Sequence, residues 1–216
     1  LLAFSTVSHL GLITMLLGTG TAFGAMAAVF HILNHATFKA ALFMSAGIID
    51  HETHTRDIRR LGGLRHLMPI TFVIATLAAL SMAGIPLLNG FLSKEMMLEE
   101  ANHTVLFDTP WLVPVLATIG SLFSAAYCFR LIGHVFLGPV RDDYPAKPHD
   151  PNAGLWLPPA ILVVLVVVIG IAPFLAEPFV KMVTASVLGD TASVPKAHFK
   201  IWHGLVPALF MSIAAV

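Results

Sequence analysis

HILNHATFKAALF, residues His31 to Phe43, places two histidines and a lysine inside an apolar stretch that runs from about Thr21 to Ile49. The stretch is long enough to cross a bilayer as a helix. On that helix His31, His35 and Lys39 stand at i, i+4 and i+8, drifting only about 40° per step and climbing about 12 Å along one face. An ionisable group at membrane depth costs several kcal/mol unless it faces protein or water. Three on one face point to a path for protons or cations.

The rest of the chain agrees with a membrane solvent. The 216 residues are 57% hydrophobic and 11% charged, with a mean hydropathy of +0.85; a soluble domain carries about 25% charged residues. The apolar runs are continuous rather than alternating, which predicts helices and excludes a barrel. Formal net charge is zero, and no nucleic-acid partner is expected. Cys128 is the single cysteine, so there is no internal disulfide framework. No signal peptide is recognisable, and the chain reads as a fragment of a longer polypeptide, truncated at both ends.

The expected fold is all-α, a polytopic transmembrane helix bundle of about six membrane segments with one discontinuous helix. The segments are Phe4–Leu17, Thr21–Ile49, a run from Leu67, Trp111–Leu137, Trp156–Leu188 interrupted by Pro173 and Pro178, and a last run from Ile201. The third run reaches Ala83, meets GIPLLNG (Gly84 to Gly90), and resumes as FLSKEMMLEEA. Arg56, Arg59, Arg60 and Arg65 lie in the Asp50–His66 loop, and Arg141 and Lys147 in the Gly138–Gly154 loop. The alternate loops carry only Lys196 and Lys200. The positive-inside rule makes the two arginine-bearing loops cytoplasmic, provided the third run crosses once, break included.

Lys39 lies too deep in its span to snorkel to either interface and can load and release a proton; the alternative is a static lysine paired with a carboxylate on a neighbouring helix. His31 and His35 exchange protons near neutral pH and suit a relay, or else hydrogen-bond neutrally between helices. A metal is not expected, since no carboxylate or cysteine shares their face. Lys94 and Glu95 follow GIPLLNG by one turn. Broken helices at membrane depth mark ion sites in transporters; equally, Leu67–Leu88 is a complete span and Lys94 then opens an extramembrane helix. His9 reads as a satisfied core histidine. Tyr127, Arg130 and His134, at i, i+3 and i+7, read as an interfacial anchor. Glu177 and Lys181 read as an interfacial i, i+4 pair. No phosphate loop, CxxC or catalytic triad is present.

FSTVSHLG (4–11), FHILNHATFKAALF (30–43), LGGLRHLMP (61–69) and GIPLLNGFLSKE (84–95) together resemble the antiporter-like subunits shared by Mrp-type multisubunit sodium/proton antiporters and respiratory complex I. NHATFKAALF is most similar to the large A-type subunits of the Mrp antiporters, and next to the distal antiporter-like chain of complex I. HFKIWHG (198–204) also resembles the A-type subunits. The resemblance implies two inverted five-helix repeats, each with one broken helix. Residues 1–138 would be the second half of the antiporter-like domain, and 139–216 the transmembrane helices that follow it. The family's channel lysine falls on Lys94, its mid-helix lysine on Lys39, its polar histidines on His31 and His35, and an acidic position on Glu95. Lys94 is then at membrane depth. Glu95 would hold its charge or offer an exit.

The implied activity is proton translocation in a Na⁺ or K⁺/H⁺ antiporter. The alternative is the proton-pumping membrane subunit of an NADH:quinone oxidoreductase. Neither makes this chain an enzyme or gives it a cofactor. The implied partners are the other membrane subunits, protons, Na⁺ or K⁺ and the lipid bilayer, and the implied location is a bacterial inner membrane.

Overall fold

The computed structural model describes residues 1–141, 144–196, 199–201, 204 and 206–216. Of the HFKIWHG stretch, His198, Trp202 and His203 lie outside the described residues. The described chain is helical, with no strand. Its elements are α1 (Leu2–Gly18), α2 (Ala22–Thr53), a short α3 (Leu64–Leu67), α4 (Pro69–Ala83), α5 (Asn89–His103), α6 (Leu112–Leu131) continued by a π-turn (Ile132–Leu137), α7 (Ala153–Ile171), α8 (Glu177–Leu188) and α9 (Pro207–Ala215).

α2, α6 with its π-turn, and α7 are each long and apolar enough to cross a membrane, and α1 and α4 are shorter apolar helices. α2 is the central post, 32 residues long, packed on α1, α4, α5, α7 and α8. Small residues let its neighbours approach: Ala27 and Ala28 are buried with Met26 and Phe30 against Leu16, Phe91, Met97 and Val180. Further along α2, Phe38, Ala41 and Leu42 pack with Ala78, Met82, Cys128 and Val166. The outward faces of α6 and α7 carry exposed Leu116, Phe123, Ile161 and Val164, as expected of helices solvated by lipid.

The third apolar run is discontinuous where the sequence predicts. α4 ends on Gly84 at φ +94°, and Gly84 N–H and Ile85 N–H return to the Ser81 and Leu80 carbonyls, a Schellman closure. Leu87, at φ +70°, occupies a left-handed region that leucine seldom adopts. α5 then starts at Asn89, whose side chain ties three segments together. Ser81 Oγ donates to Asn89 Oδ1 at 2.8 Å. Asn89 Nδ2 donates to Thr37 Oγ1 at 3.0 Å. Asn34 Nδ2 donates to the Asn89 carbonyl at 3.0 Å. Ser81 Oγ also accepts Gly90 N–H at 3.0 Å, so a residue of α4 caps the next helix.

The ends of the bundle are fixed by polar contacts. Tyr144 donates to the Gly62 carbonyl. His149 Nδ1 stands 3.2 Å from Glu52 Oε2. Asp150 accepts from Ile70 N–H (2.8 Å), Thr71 N–H (3.0 Å) and Thr71 Oγ1 (2.8 Å), capping α4 where a carboxylate also complements the helix dipole. The two arginine-bearing loops therefore share one end. Within that end Asp57 grips Arg59 at 2.7 Å, and its carboxyl is held down at about 2 by that guanidinium. At the opposite end Thr21 caps α2 through Gly24 N–H (2.8 Å) and donates to Glu100 Oε1 at 2.5 Å. α4 starts at one end and α5 reaches the other, so the broken pair crosses once.

The fifth run is interrupted at Pro173, as expected: Pro173 starts a 3₁₀ turn, Pro173–Leu175, that separates α7 from α8, because a proline donates no backbone N–H and its ring blocks the preceding turn. α8 folds back onto the first half of α2 instead of prolonging α7. In the last run the described helix begins only at Pro207.

A Cβ on Gly90 would lie 2.0 Å from the Ser81 carbonyl oxygen, a backbone atom that cannot swing aside. Gly90→Ala is expected to cost about 3 kcal/mol, the upper range for overpacking, and to lower sharply the quantity of the protein recovered in membranes. Normal recovery by quantitative immunoblot would contradict the close approach.

Candidate functional site

Four of the predicted residues, His31, Lys39, Lys94 and Glu95, are buried inside the bundle, and His35 is half-buried. Lys39 is 4% exposed and Lys94 5%. The extramembrane alternative for Lys94 is therefore not what forms: α5 packs inside the bundle, and the Lys94 ammonium donates to the Ala83 carbonyl at 2.9 Å. That carbonyl belongs to the last turn of α4, where the helix dipole presents its negative end to the cation. Lys39 donates to Ser5 Oγ and to the Leu2 carbonyl at 3.4 Å, both in the first turn of α1. Among the described residues no carboxylate stands within ion-pair distance of Lys39.

His31 is buried and bonded at both nitrogens. Its Nδ1 faces Ser93 Oγ at 3.0 Å and its Nε2 faces His9 Nδ1 at 3.0 Å. The His9 and His31 rings stack with centroids 5.2 Å apart. His35 is half-buried, its ring 6.0 Å from His31 and 5.2 Å from His9, and its Nε2 has no hydrogen-bond partner among the described residues. Glu95 follows Lys94 by one residue, about 100° round α5, and is also buried.

The structure adds residues that spacing alone did not single out. His9 is a satisfied core histidine, as expected, and its partners make it part of the cluster: its Nε2 lies 3.1 Å from the Tyr127 hydroxyl. Tyr127 also meets Ser124 Oγ at 3.0 Å. The set Tyr127, Arg130, His134 is thus not one anchor, because Tyr127 turns inward while Arg130 and His134 are exposed. The available signals were Ser5 and His9 at i, i+4 on α1, and Ser124 and Tyr127 at i, i+3 on α6, each a polar pair on an apolar helix. Glu177 and Lys181 do pair, at 2.6 Å, away from the cluster. Among the described residues no group of three or more His, Cys, Asp or Glu is arranged to hold a metal ion.

A helical bundle with a broken helix, one buried lysine at the break and a second against α1 is an arrangement of the kind found in membrane transporters. Comparison with known proteins places it more closely. Residues 1–124 match the family model described as NADH:quinone oxidoreductase/Mrp antiporter, TM, and the chain belongs to that family. The probable K(+)/H(+) antiporter A/B subunit of Rhizobium meliloti (strain 1021) is 51% identical over 220 residues, covering 100% of this chain and 22% of its own length. The Na(+)/H(+) antiporter A-type subunit of Alkalihalophilus pseudofirmus is 42% identical over 100% of this chain and 30% of its own. A chain of the Mrp complex from Dietzia sp. DQ12-45-1b superposes with a TM-score of 0.85 at 36% identity, over 100% of this chain and 23% of that one. A chain of the membrane-bound sulfane sulfur reductase, an archaeal respiratory membrane complex, superposes at 0.72 and 34% identity over 79% of this chain and 28% of that one. The chain spans less than a third of the length of each of these relatives.

In the intact protein in its membrane, Lys94 is expected to resist an amine-reactive reagent at neutral pH while exposed Lys147 and Lys196 react. Peptide mapping by mass spectrometry reads this; equal labelling of the three would put Lys94 in water.

Proposed function

We propose that the chain is the proton-translocating part of the large A-type subunit of a multisubunit Na⁺ or K⁺/H⁺ antiporter in a bacterial inner membrane. Residues 1–138 are the second half of its antiporter-like domain and 139–216 the membrane helices that follow. The observation that carries the reading is the pair of lysine ammonium groups inside an apolar bundle, held by carbonyl and hydroxyl oxygens and flanked by histidines. Protons pass along His31, His35 and Lys39 and exchange with Lys94, and Glu95 holds Lys94 in its charged state or offers an exit. Partners are the other membrane subunits of the complex. The family includes NADH:quinone oxidoreductase subunits, and a proton-pumping member of that complex is the alternative; the relatives matched along the full chain and named above are antiporter subunits, which favours the first.

Exchange in everted vesicles tests this without NADH. Lys39→Ala and Lys94→Ala in the intact antiporter are each expected to reduce Na⁺- or K⁺-driven proton movement by at least about tenfold, with the variant protein present in normal quantity. Full exchange by both variants would leave the buried lysines inert.

A further inference from the structure

Hydroxyl groups flank the His9–His31 pair on both sides, and the contacts join into one line. The Met82 carbonyl lies 3.4 Å from Ser124 Oγ, Ser124 Oγ lies 3.0 Å from the Tyr127 hydroxyl, and that hydroxyl lies 3.1 Å from His9 Nε2. His9 Nδ1 lies 3.0 Å from His31 Nε2, His31 Nδ1 lies 3.0 Å from Ser93 Oγ, and Ser93 Oγ lies 3.3 Å from the Gly90 carbonyl. The line leaves the last turn of α4, passes through α6, α1 and α2, and ends in the first turn of α5. Its two ends are backbone carbonyls on opposite sides of the helix break. Ser93, His31, His9 and Ser124 are buried.

Counting hydrogens limits how this line can be arranged. Each hydroxyl has one, each neutral imidazole has one on nitrogen, and a carbonyl has none. Among the described residues no carboxylate stands within ion-pair distance of His9 or His31, and an unpaired buried charge is costly, so both rings rest neutral. Five groups then supply five hydrogens to six links, and one link goes without. A short link with no hydrogen sets two lone pairs face to face, so the empty link is one of the two longer ones at the carbonyl ends. Two orders remain. In the first, Ser124 donates to Tyr127, Tyr127 to His9 Nε2, His9 Nδ1–H to His31 Nε2, His31 Nδ1–H to Ser93, and Ser93 to the Gly90 carbonyl. In the second every donor reverses: Ser93 donates to His31 Nδ1, His31 Nε2–H to His9 Nδ1, His9 Nε2–H to Tyr127, Tyr127 to Ser124, and Ser124 to the Met82 carbonyl. Both orders make five bonds, and in each the two histidines share one tautomer.

Building on the proton-path reading above, we propose that this line selects the side on which His31 offers its bare nitrogen, with His9, Tyr127, Ser124 and Ser93 as positioning residues. In the first order the bare nitrogen is Nε2, facing His9 on α1. In the second it is Nδ1, facing Ser93, the residue before Lys94. Which ring nitrogen carries the hydrogen is set by the bond that the other one makes. A tautomer reverses when the ring takes a proton on its bare nitrogen and gives up the one on the other. Reversal of the line requires this of both rings, with protons taken from the path and returned to it, so neither ring stays charged and the proton count of the line is unchanged. Tyr127 can stand in the line because a hydroxyl donates and accepts in either direction.

The test reads which ring nitrogens carry hydrogen, by nitrogen NMR of the intact antiporter labelled at its histidines and held in lipid membranes. The His9 and His31 signals are identified by their loss in His9→Gln and His31→Gln. Ser124→Ala removes the acceptor that Tyr127 needs in the second order, and Ser93→Ala the acceptor that His31 needs in the first. Each leaves the other order ahead by one hydrogen bond, worth about three- to tenfold in population. Both histidines are therefore expected to carry hydrogen on Nδ1 in Ser124→Ala and on Nε2 in Ser93→Ala, and each variant, biased to one order, is expected to lower proton exchange by about three- to tenfold. The same tautomers in the two variants, or unlike tautomers at His9 and His31 within either one, overturn the line. Opposite tautomers with unchanged exchange in both overturn its part in selection. If Ser93→Ala does not assemble, Tyr127→Phe replaces it: His9 Nε2–H then has no acceptor, so both histidines must carry hydrogen on Nδ1, and hydrogen on Nε2 overturns the line. Lys39→Ala and Lys94→Ala separate the two readings: full exchange in both removes the proton path and leaves the tautomers as found, whereas lost exchange there beside identical tautomers in Ser124→Ala and Ser93→Ala removes only the line.

Discussion

The break between α4 and α5 interrupts the helical ladder in the part of the protein where water cannot repair it. Backbone groups freed there must be satisfied by the protein itself, since each unpaired group in an apolar medium costs several kcal/mol. The chain meets this demand with a small set of side chains. Ser81, Asn89, Thr37 and Asn34 bind α4, α5 and α2 into one polar knot, and Lys94 caps a carbonyl at the end of α4. Ser124 from α6 reaches the carbonyl next to it. The device that stabilises the break is thus the same device that fixes the buried lysine. This explains why the motif carries Gly at both ends: Gly84 supplies the left-handed closure, and Gly90 lets the new helix pass against the Ser81 carbonyl.

Much of this was legible before any coordinates. Length and continuous hydropathy give α2, α6 and α7 because a bilayer sets the length a helix must have. GIPLLNG gives the discontinuity because glycine and proline act on their own backbone, so the signal is local. Lys39, Lys94 and His31 stand out because charge and polarity are rare at that depth. The fifth run is legible in part: Pro173 announces the interruption, but hydropathy does not give the direction the chain takes after it, which folds α8 back on α2.

What spacing could not give is the relation between helices. His31, His35 and Lys39 are neighbours on one surface of α2, yet neighbourhood on a helix fixes only about 6 Å per turn and says nothing of what fills the opposite side. His9 and Tyr127 fill it here, one from each flanking helix. His9 looked like a core histidine because a single polar residue on an apolar face usually is one. It is buried and satisfied, but its two partners are themselves polar, and that is a tertiary fact. The three residues at i, i+3 and i+7 on α6 divide for the same reason, Tyr127 inward and Arg130 and His134 outward.

The nature of the groups around Lys39 bears on what it can do. A carboxylate 4 Å from an ammonium is worth about 4 kcal/mol at the effective dielectric typical of proteins, which would hold the lysine in one charge state. Ser5 Oγ and the Leu2 carbonyl are dipoles, and a hydrogen bond from a charged donor to a neutral acceptor contributes about 1.5–3 kcal/mol. They orient the amine in either protonation state: a hydroxyl can accept from an ammonium and donate to a neutral amine. The Ala83 carbonyl only accepts, so it holds Lys94 as a donor at the end of α4. The two lysines are therefore held by different groups: Lys39 by a hydroxyl and a carbonyl of α1, and Lys94 by one carbonyl at the helix break, so neither is locked by a carboxylate among the described residues.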